Sequence, residues 1–322
     1  MGRDPRYIPP NSLQHVVDVV FQNRFLLCPS TIVNERFLGV LGRAQKKYDM
    51  PICAVVVLSN HVHYLLRPRD GAHLATFMCF LKTNLAKEIG GRLRGWKRHF
   101  FDHRYHSTTV SEEQAAQIAV LRYVLSNGPK EFLVDTVSQW PGVHSAIPTI
   151  EGRDMIGRWI DRTATFNARI RQGETEIDTE DFASEERVEI SPLPCWQHLP
   201  EADWRRAVAD LVEEIDREVA LKREELGRTS LGVTKILTAD PLHCPDQVER
   251  SPKPRFHAFD AQVLKAMIEI WREVIRCFHE ASEKLRRGIL DAEFPEGTFP
   301  PALAFVPFST ETVSGMGRGQ PL

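Results

Sequence analysis

The chain has 322 residues, of which 42% are hydrophobic and 26% charged, and its formal net charge is −2. The hydrophobic fraction is ample for a packed core and the length for two domains. No apolar run approaches the roughly 18 residues of a membrane span, so we expect no membrane association. The N-terminus lacks the apolar core of a signal peptide, which makes a cytoplasmic location the default expectation. The six cysteines form no CxxC pair, and we expect reduced thiols rather than a zinc ribbon or a disulfide framework.

The N-terminal half alternates between strand-like and helix-like patterns. The predicted elements are, in chain order, a strand over residues 13–21, a helix over 31–48, strands over 52–59 and 61–67, a helix over 74–89, a strand over 105–111 and a helix over 111–127. Ser111 and Gln114 form a capping-box pattern at the start of the last helix. This order predicts an α+β fold: a ferredoxin-like or RRM-like antiparallel sheet with helices on one face, plus one extra helix.

The C-terminal half is organised differently. Residues 174–189 contain eight acidic residues and one arginine, a composition that favours an exposed linker or solvated loop. Two long amphipathic helices follow, one ending before Gly227 and one before Gly288. We therefore divide the chain into an N-terminal domain over residues 1–150, an acidic linker region over 151–195 and a mainly helical region of unknown role over 196–322.

A basic segment interleaved with aromatic residues lies between residues 82 and 104, with seven lysines and arginines against two acidic residues. Basic groups for phosphates beside aromatic faces for bases are typical of a single-strand-binding surface. A solvated helix end followed by a loop is the alternative interpretation. The candidate DNA-binding residues of this segment are Lys82, Arg94, Trp96, Lys97, Arg98 and Arg104.

Two histidines interrupt an apolar run in VVVLSNHVHYLLRP, residues 55–68. Because side chains alternate faces along a strand, His61 and His63 lie on the same face and can converge on one divalent ion. By itself this H-x-H spacing is a weak signal, since many strands with it bind nothing.

The last helix of the N-terminal half carries Tyr123 and Asn127 four residues apart, on one helical face. A tyrosine hydroxyl is a poor nucleophile near neutral pH, but a metal that polarises a phosphodiester supplies the missing activation. The amide oxygen of Asn127 is a hard ligand suited to Mg²⁺ or Mn²⁺. A half-buried packing tyrosine and a helix-terminal asparagine are the alternative interpretation.

Three motifs occur in order: LSNHVHYLLRP (58–68), LRYVLSNGPKEFLV (121–134) and WPGVHS (140–145). Together they resemble the IS200-like transposases, in particular the REP-associated tyrosine transposases, which are HUH single-strand DNA endonucleases. The resemblance covers residues 5–150 and does not extend to the C-terminal half.

The resemblance implies roles for individual residues. It places the family's two-histidine motif on His61 and His63, its nucleophile on Tyr123 and its third metal ligand on Asn127, with Mg²⁺ or Mn²⁺ as the metal. It departs from the family pattern at Gly128, which is inserted before the proline position.

The resemblance also implies a reaction. The protein would cleave and rejoin single-stranded DNA through a 5′-phosphotyrosine intermediate, on DNA that folds into an imperfect hairpin, as a monomer or a homodimer. Arg122, next to the tyrosine, is expected to hold the DNA backbone together with the basic segment. Tyr105 is the alternative nucleophile.

Three other hypotheses remain open at this point. The protein could be a non-catalytic, domesticated hairpin-binding relative, in which Tyr123→Phe would leave binding intact. It could be an unrelated metal-dependent hydrolase built on His61 and His63, whose turnover would survive loss of the tyrosine. In a purely structural interpretation the histidines are solvated, and a divalent metal would leave thermal stability unchanged.

Overall fold

The structure, a computed structural model, describes residues 5–172, 177–245 and 254–300. In these parts the strands are β1 (Leu13–Val19), β2 (Ile52–Val57), β3 (His61–Leu66), β4 (His106–Val110), β5 (Met155–Ile160), β6 (Ala183–Val188) and β7 (Phe256–His257). The α-helices are α1 (Thr31–Tyr48), α2 (Gly71–Glu88), α3 (Gln114–Leu125), α4 (Ala146–Glu151), α5 (Arg162–Gln172), α6 (Glu201–Glu225), α7 (Val233–Leu237) and α8 (Ala261–Arg286). Within the described ranges, no helix is both long and apolar enough to cross a membrane.

The main sheet has five strands in the order β2-β3-β1-β4-β7. The first four pair antiparallel, as the sequence predicts, and the α+β fold class is confirmed. The fifth strand, β7, comes from the C-terminal half and pairs parallel with β4, which makes the sheet mixed. This strand is missing from the prediction because its two residues are too few to produce a recognisable alternation.

The two faces of the sheet carry different helices. Val16 and Tyr64 point into a core formed with α1 and α2, while Leu65 and Val56 point into a second core formed with α3 and α6. The period-2 alternation of β1 to β3 thus sorts side chains between two layers of helices. α3, the extra helix of the prediction, covers the face on which His61 and His63 lie.

Helix boundaries follow local capping chemistry. α1 begins after Ser30, whose hydroxyl accepts a hydrogen bond from the backbone N–H of Val33, and Asp70 caps α2 in the same way. The predicted capping box of α3 is wrong. Ser111 donates its hydroxyl hydrogen to Glu113, and the same carboxylate accepts the backbone N–H groups of the segment that leads into α8. α3 therefore starts three residues later than predicted, at Gln114.

The expected acidic linker is wrong for residues 183–188, which form β6 and pair with β5 in a separate two-stranded sheet. Part of the acidic stretch, residues 174–176, lies outside the described residues. β5 and β6 pack against α1 through Gly39 and Gly157, where a Cβ atom on Gly39 would lie 2.1 Å from the carbonyl oxygen of Arg158. Acidic composition is a poor guide here because Glu186, which pairs with Arg43, and Val188 are buried while Glu185 faces solvent.

The C-terminal half contacts the N-terminal elements directly. α6 packs its buried apolar face on α3 and α4. An ion pair joins Arg122 of α3 to Glu218 of α6, and the backbone N–H of Val137 donates to Asp216. The expected mainly helical character of this half is confirmed by α6, α7 and α8. The domain boundaries proposed from the sequence stay predictions.

Candidate active site

The two predicted histidines lie on β3, an interior strand of the sheet. In the strand register Val17 faces His63 and Val19 faces His61, so both imidazoles project from the face covered by α3. Their ε nitrogens are 3.0 Å apart. The structure therefore brings one ring nitrogen of each histidine together, and their convergence on a divalent ion stays a prediction.

A third histidine, absent from the sequence-based set, completes a chain of rings. His15 on β1 places its Nε2 2.9 Å from Nδ1 of His63, and the two rings stack at 12° with centroids 5.2 Å apart. At the other end, Nδ1 of His61 lies 2.7 Å from Oδ1 of Asn60. The order of contacts is Asn60, His61, His63, His15. No local sequence signal could reveal His15, because it reaches His63 only through the pairing of β1 with β3.

Burial keeps these rings neutral. It lowers the pKa of His15 and of His61 to about 4, and that of His63 well below its ordinary value, with the charge of Lys130 acting in the same direction. A neutral imidazole can offer a nitrogen lone pair to a cation, whereas an imidazolium cannot.

Tyr123 projects from α3 over this chain of histidines. Its ring makes edge contacts with both His15 and His63, at centroid distances of 5.7 Å, yet the residue is 49% exposed. The side chain therefore lies against the histidines and remains accessible to a large substrate. Partial burial, and to a lesser degree the charge of Glu131, raises the pKa of its hydroxyl.

Lys130 is a second residue missing from the sequence-based set. Its ammonium lies 3.5 Å from the centroid of the Tyr123 ring, in a cation–π contact. The turn that brings it back over the tyrosine starts at Gly128, whose φ of +101° favours glycine. Burial lowers the pKa of Lys130 to about 8. The glycine inserted in the sequence thus forms the turn that places Lys130 beside the tyrosine.

Asn127 lies beyond the end of α3, whereas Tyr123 lies within the helix. α3 ends at Leu125 rather than at residue 127, so the two side chains do not share a regular helical face. The amide nitrogen of Asn127 donates to the carbonyl oxygens of Tyr123 and Val124, both at 2.9 Å, and the residue is buried. Its amide oxygen is the atom left to act on a cation, and its role as third ligand stays a prediction.

The side chains at this site include donors that suit a divalent ion. His61 and His63 direct two neutral nitrogens at each other, which fits two ligands of one ion. An imidazole pair is softer than the all-oxygen shell that Mg²⁺ prefers, so Mn²⁺ suits it better. Among the described residues, no group of three or more His, Cys, Asp or Glu side chains is arranged to hold a metal ion.

The predicted DNA-binding residues differ in how far they are available to DNA. Lys82 and Arg122 are held by other protein groups: Lys82 Nζ lies 2.6 Å from the buried carboxylate of Asp18, and Arg122 pairs with Glu218. Trp96 is partly buried against the core of α1 and α2. The remaining members are exposed, and these are Arg94, Lys97, Arg98 and Arg104. Their contact with DNA stays a prediction.

Tyr105, the alternative nucleophile, lies on the other side of the sheet. It is buried in the core that β1 and β3 form with α1 and α2, and the guanidinium of Arg6 covers its ring at 3.9 Å. None of the contacts described for Tyr105 is with His15, His61 or His63. Tyr123 is therefore the tyrosine that the fold places at the histidine chain.

Comparison with known proteins bears on the N-terminal part. A structure of a REP-associated tyrosine transposase bound to a REP hairpin is similar with a TM-score of 0.40 and 16% identity, over 47% of this chain and 86% of that chain. A candidate transposase from Deinococcus radiodurans R1 is similar with a TM-score of 0.28 and 20% identity, over 38% of this chain and 95% of that chain. No curated protein matches the sequence. Residues 11–127 match the family model described as "Transposase IS200 like", which confirms the resemblance read from the motifs for this segment of the chain.

Proposed function

We propose that the protein cleaves and rejoins single-stranded DNA with Tyr123 as the nucleophile. The observation that carries this proposal is the position of Tyr123, which is half exposed while its ring contacts both His15 and His63. A tyrosine with only a packing role would not need an accessible position beside a chain of neutral histidines. The family match over residues 11–127 supports the same class of reaction.

In the proposed reaction the Tyr123 oxygen forms a bond to phosphorus, and the bond from phosphorus to the 3′ oxygen breaks. The phenol proton ends on the departing 3′ oxygen, which leaves a 5′-phosphotyrosine and a free 3′-hydroxyl. A divalent ion held by His61 and His63 would polarise the scissile phosphate. Because the covalent link retains the phosphodiester energy, a second 3′-hydroxyl can reverse the step and join a new strand.

The protein groups around the tyrosine favour this chemistry. The ammonium of Lys130 over the ring stabilises negative charge as it develops on the phenol oxygen. The exposed cations of the basic segment, among them Arg94, Lys97 and Arg98, would hold the DNA backbone without reading its sequence. The proposal includes a hairpin-bearing substrate, which follows from the family resemblance, and it keeps the expected cytoplasmic location.

The test is a covalent-adduct assay. The full chain is incubated with labelled hairpin-bearing single-stranded DNA and Mn²⁺, and the products are separated under denaturing conditions. Wild type is expected to give a shifted, denaturation-resistant band, and Tyr123→Phe none. Tyr105→Phe is the matched control, because it removes one tyrosine hydroxyl on the opposite face of the sheet, and it should form the adduct. Absence of adduct from wild type across a varied pool of hairpins would contradict the proposal.

A hairpin-binding protein without cleavage is the second candidate. The observation that favours it is Asn127, whose amide nitrogen ties the buried side chain to the carbonyl oxygens at the end of its own helix, while none of the hydrogen bonds described for it reaches a histidine. In that case wild type and Tyr123→Phe would bind the hairpin equally in a mobility-shift assay, and neither would form an adduct. The two assays together separate the candidates.

A further inference from the structure

The chain of contacts that runs from Asn60 to His15 fixes more than ring positions. We propose that His15 is a positioning residue that holds the proton of His63 on Nδ1, so that Nε2 of His63 and Nε2 of His61 both present lone pairs to one cation. The proposal rests on the metal site of the proposed function.

The His61 ring has its tautomer fixed by the side chain of Asn60. Its Nδ1 lies 2.7 Å from Oδ1 of Asn60, and an amide oxygen only accepts hydrogen bonds. Nδ1 of His61 is therefore the protonated nitrogen. A neutral imidazole carries a single N–H, so Nε2 of His61 has a lone pair, and this lone pair points at His63.

The position of the His63 proton then decides what the site can do. With the proton on Nε2, His63 would donate across the 3.0 Å gap to His61, and the two nitrogens would satisfy each other. With the proton on Nδ1, both ε nitrogens offer lone pairs, an arrangement that is repulsive without a cation and favourable with one.

His15 supplies the partner that the second arrangement requires. Its Nε2 lies 2.9 Å from Nδ1 of His63, a hydrogen-bond distance at which either ring can donate, and His15 as the acceptor holds the proton of His63 on Nδ1. The rings stack at 12°, so His15 also limits rotation of the His63 ring. A residue needed only for packing could be apolar here, as Leu13 and Val17 are on the same face of β1.

Two substitutions of His15 distinguish its role as a hydrogen-bond acceptor from the packing of its ring. His15→Phe keeps a flat ring for stacking and removes the acceptor nitrogen, whereas His15→Gln removes the ring and keeps an acceptor oxygen. His106→Ala is the control: His106 lies on the neighbouring strand β4, where its Nε2 contacts Thr108 and the carbonyl of Pro254. Should His15→Phe fail to fold, His15→Leu, which removes the ring and the acceptor together, is compared with His15→Gln, which removes the ring and keeps an acceptor.

The first measurement is Mn²⁺ affinity of the full chain by calorimetry, without DNA. His15→Phe is expected to bind Mn²⁺ about 10- to 100-fold more weakly than wild type, in the range found for lost partners of metal-ligating histidines. His15→Gln should retain most of the affinity, and His106→Ala all of it. Equal affinity of His15→Phe and wild type would overturn the proposal.

The second measurement reads the proton directly, from the ring nitrogen chemical shifts of His63 in the metal-free protein. The Nδ1–H form should be substantially populated in wild type and should give way to the Nε2–H form in His15→Phe. An unchanged tautomer would overturn the role of His15. The two measurements can also disagree. If the tautomer changes as expected but wild type binds no Mn²⁺, the role of His15 is supported and the metal of the proposed function is contradicted.

Discussion

Replacing Gly39 by alanine places a methyl group where α1 touches the β5–β6 sheet. The added Cβ would lie 2.1 Å from the carbonyl oxygen of Arg158 and 2.7 Å from the backbone nitrogen of Trp159, whereas ordinary contact begins at 3.4 Å. Both obstructing atoms belong to the backbone and cannot rotate away. The helix or the two-stranded sheet must therefore shift by more than an ångström.

Two opposing effects set the magnitude. Overpacking a tight contact costs about 1–3 kcal/mol, and the rigid obstruction places Gly39→Ala at the upper end. Alanine returns about 0.5–1 kcal/mol through its higher helix propensity. The free energy of unfolding should fall by about 2 kcal/mol.

Urea unfolding measures this change through the transition midpoint. The matched control is Gly91→Ala, where an added Cβ meets nothing within 4 Å, and its stability should stay within about 0.5 kcal/mol of wild type. If Gly39→Ala were as stable as Gly91→Ala, the packing of the β5–β6 sheet on α1 would be refuted.

Three further outcomes are expected. Arg122 and Glu218 are partly exposed, so a double-mutant cycle on urea unfolding should give a coupling below about 1 kcal/mol, and a larger value would contradict the solvent-screened pair. Burial lowers the pKa of Lys130 to about 8, so adduct formation by wild type should decline relative to Lys130→Arg as the pH rises through 8, and a constant ratio would show that the lysine charge is not used. Burial raises the pKa of Asp18 to about 6, so the folded state binds this proton more tightly and stability from this group falls as the pH rises from about 4 to 6. In urea unfolding, Asp18→Asn should reduce the change in the free energy of unfolding over this pH range by about 2–3 kcal/mol. An unchanged pH profile would contradict the raised pKa of Asp18.

Local patterns predicted much of the N-terminal architecture. The helical spacing over residues 31–48 coincides with α1, and the alternation in β3 placed His61 and His63 on one face. These features depend on residues that are close in the sequence, where the period of the side chains is set by the backbone alone. The resemblance to IS200-like transposases came from motifs of the same local kind.

Features that depend on distant pairing could not be predicted in this way. His15 reaches His63 across 48 positions, and Lys82 meets Asp18 across 64. A single sequence contains no record of which strand lies beside which, so local patterns neither single out His15 nor pair Lys82 with Asp18.

Backbone conformation explains the remaining differences at the site. α3 ends at Leu125, and the positive φ of Gly128 then turns the chain so that Lys130 lies over the Tyr123 ring. The same turn directs the Asn127 amide to the end of its own helix. An i, i+4 argument assumes that the helix continues, and here it does not.

The central claim is that Tyr123 forms the covalent bond to DNA, and peptide mapping of the adduct tests it most directly. Wild type is incubated with hairpin-bearing single-stranded DNA and Mn²⁺, the adduct is digested with protease and nuclease, and the modified peptide is located by mass spectrometry. The account predicts a nucleotide remnant on Tyr123, in an amount unchanged by Tyr105→Phe. A remnant on any other residue, or its persistence in Tyr123→Phe, would contradict the account.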